Sequence, residues 1–170
     1  MKVREAKLSD ANGIALVHVD SWRTTYRSIL PDEYLMNLSY KRRKQLWETN
    51  IPKGNVFVAE NDEGKIVGFA SGGKERSGKY KEYEGELSSI YILEEYQGQG
   101  IGRLLVKSVI KEIQNSGINT MLVLVLEENN SRRFYEAIGG KQINKVVVEI
   151  AGKKINELVY GWDNIRNIFD

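Results

Sequence analysis

The chain has 170 residues, enough for one domain with a sizeable core and too few for two comfortable ones, so residues 1–170 are expected to form a single domain. Its 25 basic and 23 acidic residues leave a net charge of +2, which gives no basis for binding nucleic acid or an acidic membrane surface. Cysteine is absent, which excludes disulfides, thiolate nucleophiles and cysteine metal sites; the single histidine, His18, argues against zinc and leaves a Ser-His-Asp triad possible only through that residue.

The opening Met-Lys-Val-Arg-Glu-Ala lacks the apolar core of a signal peptide, and no apolar run reaches membrane-spanning length. A cytoplasmic protein without a membrane partner is expected. Lys2 to Ala6 predicts a short strand. Ser9-Asp10 supplies N-cap oxygens for a helix over Ala11 to Tyr26. His18, Trp22 and Tyr26 share one stripe of that helix, which either packs on a sheet or faces a ligand cleft. Pro31 breaks the helix and can start a short segment around Glu33 to Asn37. Ser39 then caps a basic helix, Tyr40 to Asn50, whose charge run reads as a solvated face.

The middle of the chain reads as strand. Asn55 to Glu60 and Lys65 to Gly72 flank the turn Asn61-Asp62-Glu63-Gly64. Gly73 to Glu84 is a polar, lysine-rich loop, and Glu86 to Leu93 is the next strand. A helix follows from Ile101 to Asn115, with an apolar face that includes Leu105, Val109 and Ile113. Thr120 to Leu126 is uninterrupted apolar sequence, as expected of a strand buried on both faces beside a parallel neighbour. Glu128 to Ile138 predicts a short helix ended by Gly139-Gly140. Gln142 to Ile150 and Lys154 to Trp162 form a hairpin around Ala151-Gly152. The tail from Asp163 to Asp170 keeps Ile165, Ile168 and Phe169, so it docks on this domain or on a second subunit. The order β, helices, β-β-β, α, β, α, β-β is that of a mixed α/β sheet with one βαβ unit.

Between strand and helix lies Tyr96-Gln97-Gly98-Gln99-Gly100-Ile101-Gly102-Arg103. Its glycines let a ligand approach the backbone, and its amides with the helix N-terminus suit a pyrophosphate. A P-loop would need Lys and Ser/Thr after its last glycine, where Arg103 and Leu104 stand. The dinucleotide fingerprint needs glycine where Arg103 stands, although Glu127 after the next strand keeps that reading weakened rather than dead. The pattern Gln/Arg-x-x-Gly-x-Gly/Ala is met by Gln97, Gly100 and Gly102.

That pattern resembles the acetyl-CoA loop of the GNAT superfamily of N-acetyltransferases. Two further stretches carry the resemblance: Ser89-Ile90-Tyr91-Ile92-Leu93 before the loop, and Asn129-Asn130-Ser131-Arg132-Arg133-Phe134-Tyr135-Glu136-Ala137-Ile138-Gly139 after the next strand. Gly140, where family members often carry Phe or Tyr, and Gln97, in place of the commoner arginine, are the departures. The resemblance implies the acyl-CoA N-acyltransferase fold: α/β, with a central mixed, mostly antiparallel sheet of about seven strands, one parallel splayed pair and about four flanking helices. It implies acetyl-CoA as cofactor and CoA as product. Backbone groups near Ile90, Tyr91 and Ile92 would pair with the pantetheine arm. Gln97, Gly98, Gln99, Gly100, Ile101, Gly102 and Arg103 would hold the pyrophosphate, Asn129 would bond the pantetheine, and Arg132 or Arg103 would reach a phosphate.

The reaction implied is direct acetyl transfer to a primary amine, of a small molecule or a peptide. Glu86, entering the central strand, is the candidate base, with His18 second. Tyr135 matches the family's general acid for the leaving thiolate, and a backbone N–H of an Ile90–Ile92 bulge would hold the oxyanion. Trp22 and Tyr26 are the candidate acceptor pocket, with Asp32, Glu33 and Tyr34 nearby in sequence. Dimerisation, common in the family, is the expectation for assembly. A non-catalytic acyl-CoA-binding module on the same fold is the alternative. A nucleotide-dependent oxidoreductase is the third reading, which the glycine spacing disfavours.

Overall fold

The computed structural model describes residues 1–170. Seven strands form one sheet: β1 (Lys2–Glu5), β2 (Val56–Glu60), β3 (Ile66–Lys74), β4 (Gly85–Ile92), β5 (Met121–Leu126), β6 (Lys141–Ile150) and β7 (Lys153–Trp162). Their spatial order is β1-β2-β3-β4-β5-β7-β6. Every neighbouring pair is antiparallel except β4 and β5, which run parallel. The α-helices are α1 (Ala11–Thr25), α2 (Asp32–Met36), α3 (Tyr40–Asn50), α4 (Ile101–Asn115) and α5 (Arg132–Ala137). The predicted architecture is present, with one short helix more than the expected four.

The two faces of the sheet are covered differently. Phe69 of β3 meets His18 of α1, whereas Gly68, one residue away and on the opposite face, lies against Leu105 of α4. The helices α1 and α4 therefore sandwich the sheet. Gly72 lets α4 approach closely: a Cβ there would meet the side chain of Val109 and stand 2.6 Å from the Glu86 carbonyl. A single large core runs through this sandwich, from Ile14 and Val17 through Phe69 and Leu87 to Leu105, Val109 and Ile113.

Local chemistry explains two of the helix ends. Ser39 Oγ accepts the Arg42 N–H at 3.1 Å and caps α3. Gly139 sits at φ +90°, and the Gly140 N–H closes the end of α5 on the Tyr135 carbonyl at 2.9 Å. Two expectations are corrected. Asp10 does not cap α1; its carboxylate accepts the Lys7 N–H and two guanidinium bonds from Arg4, closing a 3-10 turn over Leu8–Asp10. The expected helix over Glu128 to Ile138 is shorter, because Asn129 Oδ1 takes the Ser131 N–H in a turn before α5 begins. The tail docks on its own domain: Ile165 is buried, its N–H bonds the Asn119 carbonyl, and Phe169 packs under Arg103.

Candidate functional site

The sheet opens where β4 and β5 part. They pair only at Gly85–Met121, Glu86–Leu122 and Leu87–Val123, and beyond this seam β5 is bonded to β7 alone. The cause lies on the other side of β4. Ser71 faces Ser89 but Gly72 faces Leu87, so Ser88 is the extra residue of a bulge. A bulge bends its strand and increases its twist, which turns the rest of β4 away from β5. The expected bulge at Ile90–Ile92 is thus corrected to Ser88, and the opening begins there. A cavity of about 1080 Å³ fills the split and reaches both faces of the sheet. Leu124 lies on its floor and is 41% exposed, which overturns the expectation that this strand is buried throughout on both faces.

At one end of the cavity stands the glycine loop. Gly98 and Gly100 have φ of +73° and +81°, and a Cβ on either would meet nothing within 4 Å. The backbone N–H groups from Gly98 through Arg103 donate to no protein acceptor; the first bond of this helix is Leu104 N–H to the Gly100 carbonyl, at 3.4 Å. Consecutive free amides at a helix start form an anion cradle. Gly98, Gly100, Ile101, Gly102, Arg103 and Gln97 line the cavity, whereas Gln99 turns its amide to the Glu95 carbonyl and stays off the wall. The Gln97 side chain donates to the Ile92 carbonyl at 3.0 Å, so it ties the loop to β4. Arg103 lines the wall with its guanidinium over the Phe169 ring, at 5.3 Å. Arg132 is off the wall, 3.5 Å from Glu136.

In the middle stand Ile90, Tyr91 and Ile92 of β4, together with Asn129 and Tyr135. Tyr135 is held edge-on by Phe134 and Trp162, and its hydroxyl has no hydrogen bond to the protein. Burial, and then the nearby Tyr91, raise its pKa well above that of an ordinary phenol, so the hydroxyl keeps its proton at neutral pH. Asn129 is buried beside Tyr26, whose hydroxyl is 3.1 Å from that of Tyr91.

The far end opens on the α1 face. Trp22 and Tyr26 line it, while Asp32, Glu33 and Tyr34 are on α2, off the wall. His18 is also off the wall. It is buried, stacks on Tyr91 at 5.6 Å, and takes the Trp47 N–H on Nδ1. Burial, and secondarily Arg43, push its pKa down to about 3, so it is a neutral core histidine and not a base at this site.

Glu86 lines the cavity but is only 3% exposed and is committed to Arg76. The Arg76 guanidinium bonds both carboxylate oxygens, at 2.7 and 3.4 Å, and the Arg76 backbone N–H adds a third contact at 3.2 Å. Sequence reasoning missed Glu157, on β7, which also lines the cavity and has no hydrogen-bond or ion-pair partner. Its pKa is raised, first by burial and then by the charge of Glu86. The signal was present: Glu157 alternates with Ile155 and Val159, both buried, so a carboxylate stands on an apolar face.

Residues 19–139 match the acetyltransferase (GNAT) family. The chain belongs to that family. It is 45% identical over 163 residues to the uncharacterized N-acetyltransferase YuaI of Bacillus subtilis (strain 168), covering 96% of this chain and 93% of the relative. Among solved structures, the PaiA N-acetyltransferase of Thermoplasma acidophilum in complex with coenzyme A matches at 22% identity and a TM-score of 0.70, over 92% of this chain and 96% of that one. YncA of Salmonella typhimurium, a putative acetyltransferase with its cofactor acetyl-CoA, matches at 22% identity and a TM-score of 0.71, over 95% of this chain and 92% of that one. These GNAT neighbours share the splayed-sheet fold expected here. No helix of this chain is long and apolar enough to cross a membrane.

Proposed function

We propose that this GNAT protein transfers the acetyl group of acetyl-CoA directly to a primary amine of a small molecule or peptide. The observation that carries the reading is the run of amides from Gly98 through Arg103 without protein acceptors, at the mouth of a split that ends beside Tyr135. The residues fit the cofactor: the amides suit its pyrophosphate, and the open edges of β4 and β5 suit an extended arm with amide groups. Bound acetyl-CoA supplies an acyl carbonyl activated by its thiolate leaving group.

The protein's own groups divide the remaining work. The cradle and Asn129 hold the cofactor. The freed N–H groups of β4 beyond the Ser88 bulge offer hydrogen bonds to a carbonyl oxygen as it gains charge. Tyr135, kept protonated by its surroundings, donates to the departing sulfur. Trp22 and Tyr26 shape the acceptor end. A free, protonated tyrosine here favours turnover over a purely binding module.

The test is calorimetric titration with CoA, acetyl-CoA and NAD, followed by an acceptor screen over amines, amino acids and peptides. Binding of acetyl-CoA but not NAD, with thiol release on some amine, is the expected result. Binding without turnover across the panel would leave the non-catalytic alternative, and no CoA binding would sink both.

A further inference from the structure

The geometry points to Glu157, not Glu86, as the carboxylate that takes the proton from the acceptor amine. This rests on the acetyl-transfer reading and names the residue that makes the nucleophile. Both carboxylates project from the α1 side of the sheet. Glu86 is opposite Gly73, on the face occupied by Phe69, and Glu157 is opposite Leu126, which packs with Tyr26. Both line the cavity, Glu86 at the seam opposite Leu122 and Glu157 further along β5, opposite Leu126. Their availability differs. Glu86 is buried under Arg76 and would have to break a two-point ion pair before accepting a proton. Glu157 is half-buried, partnerless and already on the wall. A base works best when its proton affinity approaches the working pH, and burial beside a fixed negative charge moves a carboxylate that way.

The charged and titratable groups that share the cavity wall with Glu157 come from several elements. Among them are Glu86 of β4 and Arg76 of the loop before it, Tyr26 and Arg27 just after α1, and Glu128 after β5. Lys153, on the same strand and face, is spent on the Ile29 carbonyl at 2.7 Å. Of these cations, Arg76 is paired with Glu86, Lys153 is engaged by a carbonyl and Arg27 is exposed.

An N–H bond of the acceptor ammonium breaks and an O–H bond forms on Glu157. The freed lone pair forms the N–C bond as the C–S bond breaks, and the sulfur takes the Tyr135 proton. The second N–H proton passes through solvent to the Tyr135 phenolate, and Glu157 releases its proton to solvent, so one proton leaves overall and both side chains are restored.

Two measurements test this, and the first needs no acceptor. Protein labelled with carboxyl-13C glutamate is titrated by NMR with CoA bound, the Glu157 signal being identified by its loss in Glu157→Gln. The expected midpoint lies above the ordinary glutamate value of about 4.3 and falls in Glu86→Gln. A midpoint at or below that value overturns the proposal whether or not an acceptor is known. The second is the pH profile of kcat/KM with the best amine of the screen. Glu157→Gln is expected to lose about 10²–10⁴-fold together with the acid limb, with acetyl-CoA affinity unchanged. Glu86→Gln is expected to keep that limb, displaced to lower pH as the Glu157 midpoint falls. The reverse pattern would assign the base to Glu86. Absence of CoA binding would instead strike the acetyl-transfer reading itself.

Discussion

The indole N–H of Trp47 donates to Nδ1 of His18 at 3.0 Å, which fixes the buried imidazole as its neutral Nε2–H tautomer. A histidine whose pKa falls from 6.5 unfolded to about 3 folded takes up its proton on unfolding. The unfolded state therefore binds more protons between those values, and the stabilisation present above pH 6.5 is lost as pH falls. The slope is at most about 1.4 kcal/mol per pH unit. His18→Phe should flatten that part of the profile. At pH 8 it should cost about 1–3 kcal/mol, because the Trp47 donor is left unpaired. Urea denaturation at pH 8, 6 and 4.5 reads both effects; a parallel pH dependence in the two proteins would refute the assignment.

Gly100→Glu should abolish acetyl-CoA binding in a protein that still melts cooperatively. Its φ of +81° makes any side chain strained by about 1–2 kcal/mol, yet a Cβ there clashes with nothing. The new carboxylate would occupy the anion cradle. Calorimetry beside a thermal melt separates the two effects, and retained affinity would show that the cradle does not carry the pyrophosphate.

Tyr135→Phe should lower kcat by about 10²–10⁴-fold with acetyl-CoA affinity kept. The hydroxyl has no protein partner, so the melting temperature should change by no more than about 2 °C. A variant with wild-type kcat would remove Tyr135 from the chemistry.

Asp10→Asn tests the junction between β1 and α1. Arg4 bonds Asp10 at 2.8 and 3.0 Å and Glu60 at 2.9 and 2.7 Å. The hydrogen bonds from Arg4 hold the Asp10 carboxyl below its ordinary value. Its stabilisation is therefore present above pH 3.8 and lost as pH falls through the lower folded value. The variant should lose about 1 kcal/mol at pH 7, the figure being kept small for the water around Arg4, and the deficit should shrink on acidification toward pH 2. An equal deficit at both pH values would mean that charge is not its cause.

The glycine loop, the order of elements along the chain and the presence of a Tyr135 helix after the next strand were legible because each rests on local chemistry: turn glycines, apolar runs and strand-to-helix spacing. The exact start of the opening was not. A bulge is a mismatch between two strands, and Ser88 looks like its neighbour Ser89 until β3 is laid beside it. His18 was ambiguous for a related reason, since a helix stripe does not reveal whether Trp47 or a cleft faces it. Glu157 was visible as a carboxylate at a buried parity. Its meaning depended on Glu86 being occupied by Arg76, a partner in a loop whose course no pattern specifies.

Most sheets end at two outer strands. The parting of β4 and β5 gives this one a further pair of raw edges at its centre, normally an invitation for another chain to add itself. Phe134, Ile101 and Tyr91 line the walls, and an extended chain with peptide-like groups matches the hydrogen bonds that the edges offer. The interruption that weakens the sheet thus also screens what can mend it, and a molecule that does so splices the two halves of the protein into one continuous sheet.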